Sequence, residues 1–436
     1  MFQKASRVLF FLIVFCLPFQ VGYHFWPDFS YVYGVRVDYL SPTLYLLDLF
    51  IILLFVFFIL GLFFDKERIK IYPKNKYTLI LIFLLGASLL INYISAHAPQ
   101  AHMFGIVKLF EFSFLGLWIA NYFERRDIPY FIDSLALSSI VSSVLAIWQF
   151  NNQSSVGGLW YYLGERTYNP LTIGIAKFSI DGDVLRSYGA FPHPNLLAFF
   201  LLISIVFIFL NLGQEKNRYE KLLLIFASIV SSVALLLTFS RVIIVLYLAF
   251  TILLICKKFK KYILYFFPIL IILTLYMTIY HARFMTPEFL LRDSDFRLEL
   301  ISESFTILKN NLYFGTGLNN YFYYQVPLVK TITPTLYQPV HNIFLYWFLE
   351  TGIFGFLLLP LVFFKAIKEL VLKLKKKLEV GFNQGILFLL IAIIVTGMTD
   401  HFFLTLEQGQ IMLVLIFGLS FVIFFPKRLS KRKSKR

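Results

Sequence analysis

The sequence predicts an all-α fold: a polytopic transmembrane helical bundle of about twelve spans, with a long outer loop containing an amphipathic helix. Three observations predict it. The 436 residues are 59% hydrophobic and only 15% charged, whereas soluble domains run at roughly 45–50% apolar and about 25% charged. Lipid must therefore be the solvent for much of the chain. The apolar residues fall in long runs, and Lys and Arg fall in short clusters between the runs. Membrane proteins signal orientation in that way, so the net charge of +16 does not point to nucleic acid.

A span needs about 20 mostly apolar residues. The first candidate, 7–25, follows Lys4 and begins at Arg7, which resembles a signal peptide. Leu17-Pro18-Phe19-Gln20 offers no small-residue cleavage site, so the segment reads as an uncleaved helix. The next spans are 41–64, 76–95, 104–122 and 128–150. After a gap come 194–211, 221–239, 241–256 and 262–281, and the last three are 342–364, 383–398 and 407–425. With the N-terminus in the cytoplasm, the inside segments hold 29 of the 40 Lys and Arg, and the short outside loops 96–103 and 399–406 hold none. The reverse orientation would put nearly every cluster on the wrong side. The chain thus reads as a single integral membrane domain, 1–436.

Two outside segments, 151–193 and 282–340, are too long to be plain connectors. Long loops in compact proteins are usually functional or disordered, and these carry Trp160, Tyr161, Tyr162, Tyr313 and Tyr321 rather than low-complexity sequence. Within 292–311, Leu298, Ile301, Phe305 and Leu308 are spaced as an amphipathic helix lying on the membrane surface. A helix capping the bundle has the same spacing. The two cysteines, Cys16 and Cys256, form no disulfide framework and no metal site.

All seven histidines fall at or near the outer face in this topology. So do the basic residues outside the inside clusters, among them Arg36, Arg166, Lys177, Arg186, Arg241 and Arg297. Cations placed against the positive-inside trend suggest an anionic ligand. A diphosphate suits them, because a guanidinium fork matches phosphate oxygens bidentately.

Four motifs could carry chemistry. In RSYGAFPHPN (186–195), prolines and a glycine make a stiff turn before a span. Asn195 stands where it could cap that helix, and Arg186 and His193 either face a substrate or belong to a structural turn. In TFSR (238–241), Arg241 sits in a very tight hairpin at the interface, where a basic residue marks a functional site by default. Snorkelling to headgroups is the alternative. Arg297 precedes GTGLNN (315–320), whose glycines permit a close turn. Finally, HNIFLYWFLETGIFG (341–355) opens on His341, an imidazole able to accept a proton from a hydroxyl near neutral pH. Glu350 lies roughly 14 Å further along an unbroken helix, too far to be its direct partner.

Lys108 and Glu111 are three apart and can pair on one helical face; a structural pair is the simpler reading, a proton relay the other. Asp400-His401 is a spare acid–base candidate. Asp181 and Asp183 could bind a divalent ion, but an Asp-x-Asp loop is common. No HExxH, CxxC or P-loop occurs.

Together these stretches resemble the O-antigen ligase and polymerase superfamily of bacterial polyprenyl-diphosphate-linked glycan transferases. The matching elements are 186–201, 238–241, the Arg297 segment ending in YFGTGLNNY (313–321), and HNIFLYWFLETGIFGFL (341–357), in the family's order. Val242 stands where the family often has Gly, and Asn311 where a Pro is usual.

The resemblance implies a GT-C-like glycosyltransferase in the bacterial inner (cytoplasmic) membrane, multi-pass, with both termini cytoplasmic. Its donor would be an undecaprenyl-diphosphate-linked glycan and its acceptor a glycan or lipid hydroxyl, reached among membrane lipid without nucleic acid, cofactor or metal. It implies Arg186, Arg241 and Arg297 as diphosphate-binding residues, with Arg241 and His341 catalytic and His193, Asn195 and Asn342 as possible additional site residues. A transporter or flippase of the same lipid-linked glycans is the rival reading. It should show pseudo-symmetric halves, and none is visible in the sequence.

Overall fold

A computed structural model describes residues 2–64, 76–179, 183–212, 217–256, 287–328 and 337–424. Its helices, in chain order, are α1 (Phe2–Cys16), α2 (Leu46–Phe64), α3 (Lys76–Ser95), α4 (Pro99–Tyr122), α5 (Ile128–Asn152), the single turn α6 (Leu159–Tyr162), α7 (Pro194–Asn211), α8 (Arg218–Leu237), α9 (Arg241–Cys256), α10 (Pro287–Asn310), α11 (Tyr321–Gln325), α12 (Ile343–Lys375), α13 (Val380–Gly397), α14 (Phe402–Thr405) and α15 (Glu407–Phe421). Seven of the described helical segments are long and apolar enough to cross a membrane, and three shorter apolar helices accompany them. The predicted span 262–281 lies outside the described residues.

The centre of the bundle is α7. It is buried on every side, as a helix apolar all round must be. Two polar side chains along it bond back one turn, Ser204 Oγ to the Phe200 carbonyl at 3.1 Å and Asn211 Nδ2 to the Phe207 carbonyl at 2.8 Å. Against it pack α5 and α8, which also meet through small residues: Ser143 reaches Ser231 at 3.5 Å, and Ser138, Ser139, Ser228 and Ser232 are buried nearby. Small side chains let membrane helices approach closely. By contrast α2 exposes Ile52, Leu53, Phe55 and Phe63, the surface expected of a helix facing lipid.

Several boundaries differ from the sequence reading. The first helix ends at Cys16, two residues before Pro18, instead of running to residue 25. The following segment is not helical. Gly22–His24 (β1) pairs antiparallel with Thr43–Tyr45 (β4), and between them Tyr31–Val32 (β2) pairs with Val35–Arg36 (β3). A third small pair joins Lys177–Ser179 (β5) to Asp183–Leu185 (β6). The fold is therefore predominantly helical rather than all-α, because loops at the membrane surface must still pair their backbone groups. Helix α4 starts at Pro99, five residues before the predicted span, with proline at its first position where no amide hydrogen is needed.

The expected amphipathic helix exists as α10. Leu298 and Phe305 of the predicted stripe are exposed, while Leu300, Ser304, Ile307 and Leu308 are buried. They pack with Val37, Leu40, Tyr321, Phe322, Tyr346 and Leu349 in a second core beside the bundle. The predicted stripe is thus split: Leu308 docks on protein with Ile301 half-buried beside it, while Leu298 and Phe305 stay exposed among Glu299, Ser302, Thr306 and Lys309.

Helix α12 is interrupted at Gly352, whose φ of +67° and ψ of −165° are not helical. The break receives the turn at 312–317. Thr316 N donates to the Leu349 carbonyl at 2.8 Å, Gly317 N to the Glu350 carbonyl at 3.0 Å, and Ile353 N to the Leu312 carbonyl at 3.0 Å. Glu350 itself accepts from Tyr346 Oη, one turn away, at 2.8 Å. A Cβ at Gly352 would stand 2.2 Å from the Tyr313 carbonyl oxygen, and one at Gly315 2.5 Å from the Gly352 amide.

Gly352→Ala should therefore destabilise the protein by about 3 kcal/mol or more, since it combines an unfavourable φ with a backbone clash. Thermal unfolding in detergent checks this. A melting temperature equal to that of the parent would refute the clasp.

Candidate active site

The RSYG and TFSR motifs meet directly. Arg186, nearly buried, donates from Nε to the Thr238 carbonyl at 2.7 Å and from Nη2 to Asn195 Oδ1 at 2.6 Å. Ser187 N donates to the Leu237 carbonyl at 3.2 Å, which lays the strand-like approach to α7 along the α8–α9 turn. That turn is tight because Phe239 adopts φ +52° and buries its ring against Phe150. Arg241 follows as the first residue of α9.

The cap of α7 is not the predicted one. His193 Nδ1 accepts from Asn195 N at 3.2 Å, so the imidazole caps the helix. Accepting at Nδ1 places the hydrogen of a neutral ring on Nε2. Asn195, released from capping, bridges instead: its Oδ1 accepts from Arg186 and its Nδ2 donates to Asp400 Oδ2 at 2.7 Å.

Asp400 lies in the segment between α13 and α14, and this segment organises the site. Asp400 Oδ1 also accepts from His401 N at 2.7 Å. Thr399 offers its carbonyl to Arg297 Nη1 at 2.8 Å. The His401 ring stands edge-on to His341 with centroids 5.0 Å apart, is edge-on to Tyr39 at 5.5 Å, and is tied through Nδ1 to Thr405 Oγ1 at 2.7 Å.

Arg186, Arg241, Arg297, His341, His193 and Asn195 all line one cavity of about 1290 Å³, together with Asp400 and His401. Asn342 is not among the lining residues; its Oδ1 caps α12, accepting from Phe344 N and Leu345 N at 3.0 Å each. Asp181 lies outside the described residues, as does the side chain of Asp183. Among the described residues no group of three or more His, Cys, Asp or Glu has metal-holding geometry.

Sequence reasoning gave Asp400 and His401 only a reserve role, and it did not find Tyr39. The predicted pair of Lys108 with Glu111 is present at 3.2 Å, but the sequence did not reveal that Lys108 also binds Asp48 of α2 and Glu407 at 3.3 Å. No local spacing could have signalled Asp48 and Glu407, which come to Lys108 from two distant helices. Lys108 and Glu407 form part of the cavity wall.

Burial pushes the His193 imidazole down to about 3, and the Arg186 charge beside it pushes the same way. Burial likewise lowers His401 to about 3, with His341 adding to the effect. For Asp400 burial acts upward, but the surrounding His401, His193 and His341 and the Asn195 hydrogen bond outweigh it and hold the carboxyl below its ordinary range. Near neutral pH the site therefore presents an ionised Asp400, neutral His193 and His401 rings, and three guanidinium groups. Such a pocket attracts an anion with several oxygens.

Residues 226–359 match the family model described as O-antigen ligase. The matched segment contains Arg241, Arg297, His341 and Glu350, whereas Arg186, His193, Asn195, Asp400 and His401 lie outside it. No curated protein matches the chain.

Both histidines have folded pKa values far below the roughly 6.5 of a free imidazole, so the unfolded chain binds more protons between those limits. Their contribution to stability is complete above about pH 6.5 and is lost progressively as pH falls toward 3. The melting temperature should thus fall between pH 7 and pH 5, and fall less steeply in a His193→Asn/His401→Asn double variant. An equal slope in the two proteins would contradict the burial of neutral rings.

Proposed function

We propose that this chain, a membrane protein bearing an O-antigen ligase domain, moves a glycan from undecaprenyl diphosphate to an acceptor hydroxyl. The acceptor is the lipid A core for a ligase or another lipid-linked glycan for a polymerase. The observation that carries the reading is the convergence of Arg186, Arg241, Arg297 and His341 on one cavity. They come from a loop, a helix start, the α10 helix and the approach to α12, and bundle packing alone does not require their meeting.

In this reading the bundle has twelve spans of GT-C-like arrangement in the inner membrane. Both termini are cytoplasmic, and the loops 151–193 and 282–340 lie on the outer side, where the cavity opens. Exposed apolar side chains on α2 and α10 fit contact with lipid. The polyprenyl tail stays in the bilayer while its diphosphate enters among the guanidiniums.

The acceptor oxygen attacks the anomeric carbon of the donor as the bond from that carbon to the diphosphate oxygen breaks. The acceptor proton passes to His341, and the leaving diphosphate keeps the electron pair. Fixed positive charges aimed at the departing oxygens lower the barrier without reorganisation. Asn195 and Asp400 hold Arg186 in place, and Thr399 holds Arg297. The anomeric centre inverts, and the reaction calls on no cofactor.

Arg241→Ala and His341→Ala should each lower turnover by about 10²- to 10³-fold in purified protein given a lipid-linked donor, with the melting temperature nearly unchanged. Arg241→Lys should retain part of the activity, since it keeps the charge but loses the fork. Full turnover in either alanine variant would remove that residue from the mechanism. In cells lacking the protein, full-length chains stranded on the carrier indicate a ligase, and single repeats left on it indicate a polymerase.

A further inference from the structure

The proposed transfer uses the inner arginines and leaves unexplained a second group of cations at the cavity wall. Arg36 on β3 and Arg166 and Lys177 in the 151–193 segment also line the cavity, and the two arginines are exposed. They belong to two separate loops that abut closely: a Cβ on Gly164 would stand 2.5 Å from the backbone of Gln20. The Arg36 guanidinium lies over the Trp26 ring at 4.6 Å, with Nε 3.3 Å from Asp38 Oδ1. Lys177 Nζ donates to the Pro170 carbonyl at 2.6 Å. Arg166 Nη1 donates to the Pro192 carbonyl at 3.4 Å, and no described carboxylate forms an ion pair with it. Arg36 and Arg166 both act on His24, whose pKa is lowered first by burial and then by these two charges, against the opposing Asp38. Both guanidiniums thus lie within electrostatic reach of His24, from different loops along one cavity wall.

Asp38 meets Arg36 through Nε, and Glu165 beside Arg166 is taken up by Gln149 Nε2 and the Val156 and Gly157 amides, so both exposed guanidiniums can still receive an anion, on the side of the bundle where the sequence reading finds basic residues sparse. The cavity, about 1290 Å³, exceeds the roughly 300–1,000 Å³ usual for small-ligand pockets. It has room for sugars beside a diphosphate. We propose that Arg36 and Arg166, with Lys177, form a second anion subsite that binds a carboxylate or phosphate carried on a sugar, either of the donor glycan or of the acceptor. This rests on the transferase reading and adds that the transferred glycan or its acceptor is acidic. Forked donors suit both oxyanions.

The test uses the full-length protein in detergent and two matched probe pairs. One pair is a glucuronate-containing tetrasaccharide and its carboxyl-reduced form; the other is a mannose 6-phosphate oligosaccharide and its dephosphorylated form. At low salt, at least one charged member should bind about tenfold more tightly than its neutral partner. The preference should vanish in Arg36→Gln/Arg166→Gln and survive in part in Arg36→Lys/Arg166→Lys. Arg241→Ala should keep the preference while losing transfer. Transfer persisting in that variant would count against the catalytic reading alone. When the charged probe inhibits transfer, relief by excess donor identifies the donor glycan as the source of the anion, and relief by excess acceptor identifies the acceptor. A preference missing from the parent protein, or intact in the glutamine double variant, overturns the subsite.

Discussion

The hydrogen bond from Asn195 to Asp400 joins segments 205 residues apart, and the geometry of the cavity follows from it. On one side Asn195 holds Arg186, which in turn grips the α8–α9 turn and so sets where α9 begins with Arg241. On the other side Asp400 belongs to a short stretch that also holds Arg297 through Thr399 and touches His341 through His401. A buried carboxylate is tolerated here because it accepts hydrogen bonds from an amide side chain and the backbone amide of His401, with imidazoles around it.

Similar pairing holds the rest of the bundle. Arg7, a topology marker in the sequence, is buried against Asp127 and lies 3.0 Å from Glu124. Lys108 gathers three carboxylates from α2, α4 and α15. Ionic groups in a membrane bundle are costly unless paired, and Lys108 with Asp48 and Glu407 fixes α4 against α2 and α15. Arg186 donates to the Thr238 carbonyl and the Asn195 amide oxygen, and Arg297 to the Thr399 carbonyl, neutral acceptors that orient a guanidinium without cancelling its charge.

Much of this was legible in the sequence, and the reason differs from residue to residue. Apolar runs marked α2, α3, α5, α7, α8 and α12 because hydrocarbon imposes a length on any helix that crosses it. The arginines and His341 stood out because, in the topology read from the sequence, cations on the outer side break a strong statistical rule. The β-paired segment between α1 and α2 was not legible: its strands are two or three residues long and show no extended alternation. The exchange of roles between His193 and Asn195 was hidden because both residues can cap a helix, and only the distant Asp400 decides which does. The i,i+3 spacing of Lys108 and Glu111 announced their pair, whereas the approach of Asp48 and Glu407 and the centrality of Asp400 depend on tertiary packing, which leaves no periodic trace.

The break in α12 bears on how the chain is made. The carbonyls of Leu349 and Glu350 and the amide of Ile353 are satisfied by the turn at 312–317. Released alone into hydrocarbon, such unmatched backbone groups would cost several kcal/mol each. The turn leaves the ribosome before the interrupted helix does, so its clasp is already synthesised when that helix partitions into the bilayer. Biogenesis of this part of the chain is therefore ordered: the preceding segment must stay beside the insertion channel until residue 353 emerges.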